Sequence, residues 1–133
     1  MNLEVESSLA AWLRAQPAFD GVPVHTGQSA DTIPNDVPVL LVGVESTELV
    51  AISLYKVSAS IVLASPSLVD AALEAHTALA DSLRASLLAP TDIEDAFPAG
   101  LKLAGADLRT WAESQQDGRW LTTATLSLGL VAI

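Results

Sequence analysis

The chain of 133 residues is one domain's worth, long enough to bury a single core. Half of it is hydrophobic and its mean hydropathy is positive, which excludes a disordered chain. Six basic residues against sixteen acidic ones give a net charge of −10, a surface that repels phosphates and disfavours ordinary nucleic-acid binding.

The absence of cysteine excludes disulfides, thiolate metal sites and thiol nucleophiles, and fits a protein folded in a reducing cytosol. No apolar run approaches the roughly 18 residues of a membrane span, and no basic-then-apolar leader opens the chain, so no membrane partner is expected. Only 17% of residues are charged. A chain this apolar is expected to cover part of its surface with another chain.

Asn2 can cap a first helix running to about Gln16, with Val5, Leu9, Trp12, Leu13 and Gln16 at helical spacing. Glu4, Ser7, Ala11 and Arg14 fall on the other side, and Pro17 and Asp20-Gly21 stop the helix. Trp12 reads as core in preference to an interface anchor, because it sits in the apolar stripe. Residues 20–36 hold three turn-forming clusters, and only Val22 to Thr26 reads as a short strand. A loop of this length is usually functional or mobile. His25, within it, has no sequence-local partner and reads as structural or solvated.

Val37 to Val44 is apolar on both faces and reads as a strand buried from both sides, with Pro38 at its beginning. Glu45-Ser46-Thr47-Glu48 is expected to turn the chain. Leu49 to Ala64 then reads as one long strand whose phase slips, with a β-bulge near Tyr55-Lys56 preferred over two strands. Ser65-Pro66 reads as an N-cap followed by proline at the first helical position. The helix is expected to reach about Leu88, with Val69, Ala72, Leu73, His76, Leu79, Ala80, Leu83 and Leu87 as its apolar stripe. Asp70 falls in the first turn, where the helix dipole favours a carboxylate. His76, embedded in that stripe, reads as a packed, hydrogen-bonded histidine in preference to a metal ligand.

Asp92, Glu94 and Asp95 lie in the connection from Ala89 to Gly100. They lack the ligand spacing and central glycine of a calcium loop and read as solvated charge. The end of the chain reads as a hairpin, with arms 106–113 and 119–133 around Gln115-Gln116-Asp117-Gly118, since Asp-Gly supplies the positive φ angles of a tight turn. Trp120, Thr122, Ala124, Leu126, Leu128 and Leu130 share one face of the second arm.

No Gly-x-Ser-x-Gly elbow, phosphate-cradling glycine loop or His-Glu-x-x-His pair is present. The order α-β-β-β-α-β-β predicts a single α+β domain over residues 1–133. Its sheet is expected to be mixed, mostly antiparallel, with two main helices packed on one face.

That order resembles the tail terminator proteins of long-tailed bacteriophages, of the phage lambda minor tail protein U type. The resemblance spans nearly the whole chain. It rests on the N-terminal helix, the strand Val37-Pro38-Val39-Leu40-Leu41-Val42, and the long strand leading through Ser65-Pro66 into an acidic helix. At the end it rests on Asp107-Leu108-Arg109, the Gln-Gln-Asp-Gly-Arg-Trp turn and a Thr- and Leu-rich last strand.

The resemblance implies a structural virion protein and not an enzyme, made in the host cytoplasm and needing no cofactor. A homo-hexameric ring would cap the tail tube protein, stop polymerisation and offer the attachment surface to a head-completion or connector protein. DNA would pass through without specific binding. Neck and tail-completion proteins share the general plan. A small-ligand-binding α+β domain, with His76 inside a pocket, and an enzyme using Asp92, Glu94 and Asp95 are the readings from other classes.

Residues 128–133 are apolar on both strand faces, and one face needs a cover. Leu128, Leu130, Val131 and Ile133 are therefore the expected subunit interface. His25 and Gln28 in the 20–36 loop, with Asp117 and Gly118 in the turn, are expected to face the tube or head partner.

Overall fold

A computed structural model of the chain describes residues 1–27, 37–67, 72–116 and 118–133. In chain order these form helix α1 (Asn2–Arg14), strands β1 (Val24–Thr26), β2 (Val39–Ala51) and β3 (Leu54–Pro66), helix α2 (Ala72–Leu88), and strands β4 (Leu101–Gln116) and β5 (Arg119–Ala132). Short 3-10 turns occupy Pro17–Phe19 and Ile93–Ala96. The five-stranded sheet runs β1-β2-β3-β5-β4, with β1 parallel to β2 and every other pair antiparallel. The α+β class, the element order and the mixed, mostly antiparallel sheet are as the sequence predicts.

The faces follow from alternation. Thr122, Ala124, Leu126, Leu128 and Leu130 of β5 are buried, and across the ladder they meet Leu63, Ile61, Ala59, Val57 and Tyr55 of β3. Against this face pack Val5, Leu9, Trp12 and Leu13 of α1 and Ala80, Leu83 and Leu87 of α2. Trp12 is core, and its indole N–H donates to the carbonyl of Thr91 at 2.9 Å. A second, smaller cluster lies on the opposite face, where Val39, Leu41 and Ala64 are buried with Val62 and Leu121 against them. Residues Val39 to Val42 are thus buried on both faces, as their unbroken apolar run predicts.

The first helix ends at Arg14, the strand expected from Val37 begins at Val39 with Val37 exposed, and the hairpin's first arm extends over Leu101–Gln116. Three further readings are overturned in kind. Residues Glu45 to Glu48 do not turn; β2 passes straight through them, with a register shift between Val44 and Ser46 that leaves Glu45 as the extra residue. The phase slip over 49–64 is not a bulge at Tyr55-Lys56 but a reversal at Ile52-Ser53, where Ser53 adopts φ 61°. The long hairpin this creates sets Glu48 opposite Lys56, so opposite charges meet across it.

The third correction is at Ser65-Pro66, which ends β3 instead of capping a helix. The last β2 pairing is Val39 with Ala64, so beyond it β3 has a partner only in β5. Proline, which lacks an N–H, is tolerated where one side of a strand is unpaired. The described part of α2 begins at Ala72; the expected stripe residue Val69 and first-turn Asp70 lie outside the described residues. Leu73, expected in the stripe, is exposed instead. Asn2 is not a cap but the first helical residue, and its Oδ1 accepts from the Thr47 hydroxyl at 2.7 Å.

Strand β4 is the sheet's outer strand on one side. Its pairing with β5 shifts register between Leu103 and Gly105 and again between Leu108 and Thr110, leaving Ala104 and Arg109 as extra residues.

The residues at the end of β5 make unequal demands on stability. Leu128→Ala removes a fully buried side chain from the helix-facing core and is expected to cost about 2–5 kcal/mol in urea unfolding. Ile133→Asp, on an exposed side chain, is expected to change stability by no more than about 0.5 kcal/mol.

Candidate assembly surfaces

The polar centre of the molecule is a buried histidine. His76 on α2 has Nδ1 2.7 Å from Ser65 Oγ of β3 and Nε2 2.7 Å from Thr122 Oγ1 of β5. A neutral imidazole donates through one nitrogen and accepts at the other, and a hydroxyl can answer either role. All three side chains are buried. Burial pushes the His76 pKa below its ordinary value, while the carboxylate of Glu113 on β4 works weakly in the opposite sense. The arrangement ties α2 to two strands at once.

A hollow of about 200 Å³ opens beside this group, lined by Leu73, Thr77, Glu113, Trp120 and His76 among others. Both ring nitrogens of His76 are already engaged, so the ring brings no unused polar atom to a ligand there. Asp92, Glu94 and Asp95 lie at the exposed 3-10 turn of residues 93–96. Among the described residues no group of three or more His, Cys, Asp or Glu side chains is arranged to hold a metal ion.

The sheet has two differently made ends. At one, the β2–β3 turn exposes Leu49, Val50 and Ile52, the last at 97% of its surface. Ala132 N–H donates to the carbonyl of Ser53 and Ile133 N–H to that of Gly100, which holds Ile133, 82% exposed, beside this turn. The result is an apolar end made of Leu49, Val50, Ile52 and Ile133.

The expected interface residues divide here. Leu128 and Leu130 point into the subunit's own core and are unavailable to a neighbour, because alternation from the buried Leu126 places them on the helix side. Val131 is half-buried opposite Leu54, and Ile133 is open. Leu49, Val50 and Ile52 were not among the expected residues. Their signal was the parity break over 49–64, which marked a turn with apolar residues at its tip.

The opposite end holds the two expected tube or head contacts that lie within the described residues. His25 is half-buried on β1 beside Leu41 of β2. Gly118 adopts φ 75° at the β4–β5 turn, where its carbonyl accepts from Ser67 N–H at 2.8 Å. Gln28 and Asp117 lie outside the described residues. Strand β3, from Leu54 to Pro66, separates the ends by roughly 40 Å at strand rise.

No protein-family model and no curated protein matches the chain. Solved structures do. A chain of the virion of a native gene transfer agent particle superposes with a TM-score of 0.65 at 13% identity, covering 98% of this chain and 96% of that one. A second solved protein gives a TM-score of 0.57 at 16% identity, covering 98% of this chain and 93% of its own. At these identities the likeness is one of fold, and it extends over the full length of both partners.

The histidine makes a pH prediction. The unfolded chain protonates His76 at its ordinary value of 6.5, whereas the folded state holds it neutral to lower pH. Its contribution to stability is complete above that value and falls as pH drops towards the lower folded pKa. Thermal unfolding of the wild type is expected to lose melting temperature between pH 7 and pH 5. In His76→Gln, whose amide can still meet both hydroxyls, that slope is expected to flatten.

Proposed function

We propose that the chain is a structural protein of a phage-type particle, located in the virion and made in the host cytoplasm. It assembles as a homo-oligomeric ring, hexameric by the resemblance, at the end of the tail tube. There it covers the surface on which tube subunits would otherwise add, stops polymerisation and presents the face to which a head-completion or connector protein attaches.

The observation that carries this reading is the fold likeness, over nearly the whole of both chains, to a chain of a gene transfer agent virion, beside the sequence resemblance to tail terminators. The uncovered apolar end supports it, because exposed Leu49, Val50, Ile52 and Ile133 are side chains that an assembly would cover. Val131 and Ile133 remain as proposed interface positions, and His25, Gln28, Asp117 and Gly118 as proposed contacts to the tube or head. No cofactor or catalytic residue is invoked. A neck or tail-completion protein of the same fold is the second reading, favoured by the same likeness. A pocket for a small ligand is disfavoured by the engagement of both His76 nitrogens.

A ring at this place passes DNA. With ten more acidic than basic residues, the surface lets phosphates slide without holding them.

Light scattering of the purified protein, alone and mixed with tail tubes, is expected to give a mass that is a multiple of the chain's and tubes that stop lengthening. DNA retention on a filter is expected to be negligible even at low salt. Tubes that keep growing in the presence of a correctly folded ring would remove the capping role and leave the neck reading.

A further inference from the structure

The hollow beside the buried histidine lies between α2 and the end of the β4–β5 hairpin. Register pairs Glu113 with Thr122 and Gln115 with Trp120, so Glu113, Gln115 and Trp120 stand on the same helix-facing side of the sheet as the buried Thr122. From α2 the hollow is lined by Thr77 and by Leu73, which is 53% exposed. Its volume of about 200 Å³ falls below the roughly 300–1,000 Å³ of sites that bury a small-molecule ligand, and suits a single long side chain.

The charge here has one sign. Glu113 is exposed, and among the described residues its carboxylate takes part in no ion pair. No lysine or arginine is among the described residues that line the hollow. Asp81, one turn beyond Thr77 on the same flank of α2, is exposed as well. Arg84, the basic residue of the described helix, is occupied elsewhere, with its guanidinium 5.9 Å from the centroid of the Trp111 ring. His76 is held neutral by burial and adds no charge to repel a cation.

We infer that this hollow receives an arginine side chain of another virion protein, paired with Glu113 and laid against Trp120. The inference rests on the virion reading above for the source of that side chain. A planar guanidinium suits both features, because it meets a carboxylate through two parallel N–H bonds and is attracted to the face of an indole. The fold already holds one guanidinium in this way, Arg84 on Trp111. Gln115 and Thr77 supply further acceptor oxygens, and Leu73 an apolar surface for the methylene stem.

A second copy of the chain is a poor donor. Arg14 donates to the Val24 carbonyl at 2.7 Å, Arg84 sits on Trp111, and Arg119 is engaged within its own subunit. Arg109 stands two residues from Asp107 on the same strand. A molecule of net charge −10 draws basic partners instead. The hollow also borders the β4–β5 turn, the end already proposed to meet the tube or head.

The test uses the full chain. A blocked Gly-Arg-Gly tripeptide, titrated into isotope-labelled protein, is expected to shift the Trp120 indole N–H resonance saturably. The tripeptide with neutral citrulline in place of arginine is expected to leave it unmoved. Glu113→Gln is expected to weaken the arginine tripeptide by about tenfold or more with the melting temperature at pH 7 retained. Sedimentation with purified tail tubes and, separately, with purified heads is expected to show the same loss for Glu113→Gln on one of the two.

No shift with the arginine tripeptide, or an equal shift with citrulline, overturns the site. Tripeptide binding that needs Glu113, with tube and head binding both unchanged in Glu113→Gln, overturns the partner and leaves a site for free cations. A Trp120 shift that appears on concentrating the wild type alone and is lost in Glu113→Gln assigns the hollow to a second copy and overturns the partner too. In each of these cases a wild type that caps tubes keeps the virion reading. A wild type that binds neither tubes nor heads removes that reading and the proposed source with it.

Discussion

The central constraint is the antiparallel pairing of β3 with β5, which runs from Leu54 opposite Val131 to Pro66 opposite Arg119 without a register shift. Every other element takes its place from this pair. A slip of one residue would turn Val57, Ala59, Ile61 and Leu63 away from the face that Thr122 to Leu130 share, and the helices could then bury only one of the two sets. The two shifts in β2 and the two in β4 are tolerated because they lie on flanking strands. The helices add cover but do not set the register.

A polar intrusion into this core reinforces the same pair. Ser65 and Thr122 belong to β3 and β5, and His76 closes the space between their hydroxyls from above. A buried imidazole with one nitrogen unmet would cost on the order of 1–3 kcal/mol, so the two hydroxyls must stand at the right rungs. The polar triad therefore specifies where α2 sits along the sheet, a matter on which leucine and alanine side chains alone are more permissive.

Much of the fold was legible because alternation is a strong signal. Alternation gave the face of β5, its absence the two-sided burial of Val39 to Val42, and helical spacing the core placement of Trp12. Turns were less legible. The run through Glu45-Ser46-Thr47-Glu48 looks like a turn by composition, yet cross-strand partners such as Lys56 hold it extended. The true turn at Ile52-Ser53 carries no glycine, asparagine or proline, and only the change of parity betrayed it. Ser65-Pro66 has the local chemistry of a helix start, but tertiary pairing with Trp120 and Arg119 claims it for a strand. At the candidate surfaces, the chain's end is apolar on both strand faces. Which face the core buries is a tertiary fact, and that separated Leu128 and Leu130 from Ile133.

The displaced residues Ala104 and Arg109 of β4 bear on the protein's behaviour as a material. An outer strand of sixteen residues is otherwise a template on which another molecule's backbone can extend the sheet without limit. Two breaks in its hydrogen-bonding rhythm, one carrying a cation, deprive such a guest of a continuous run of donors and acceptors. Extension of the sheet by another backbone along this strand is thereby disfavoured. A chain half hydrophobic thus carries, in its longest strand, a local defence against sheet-to-sheet growth.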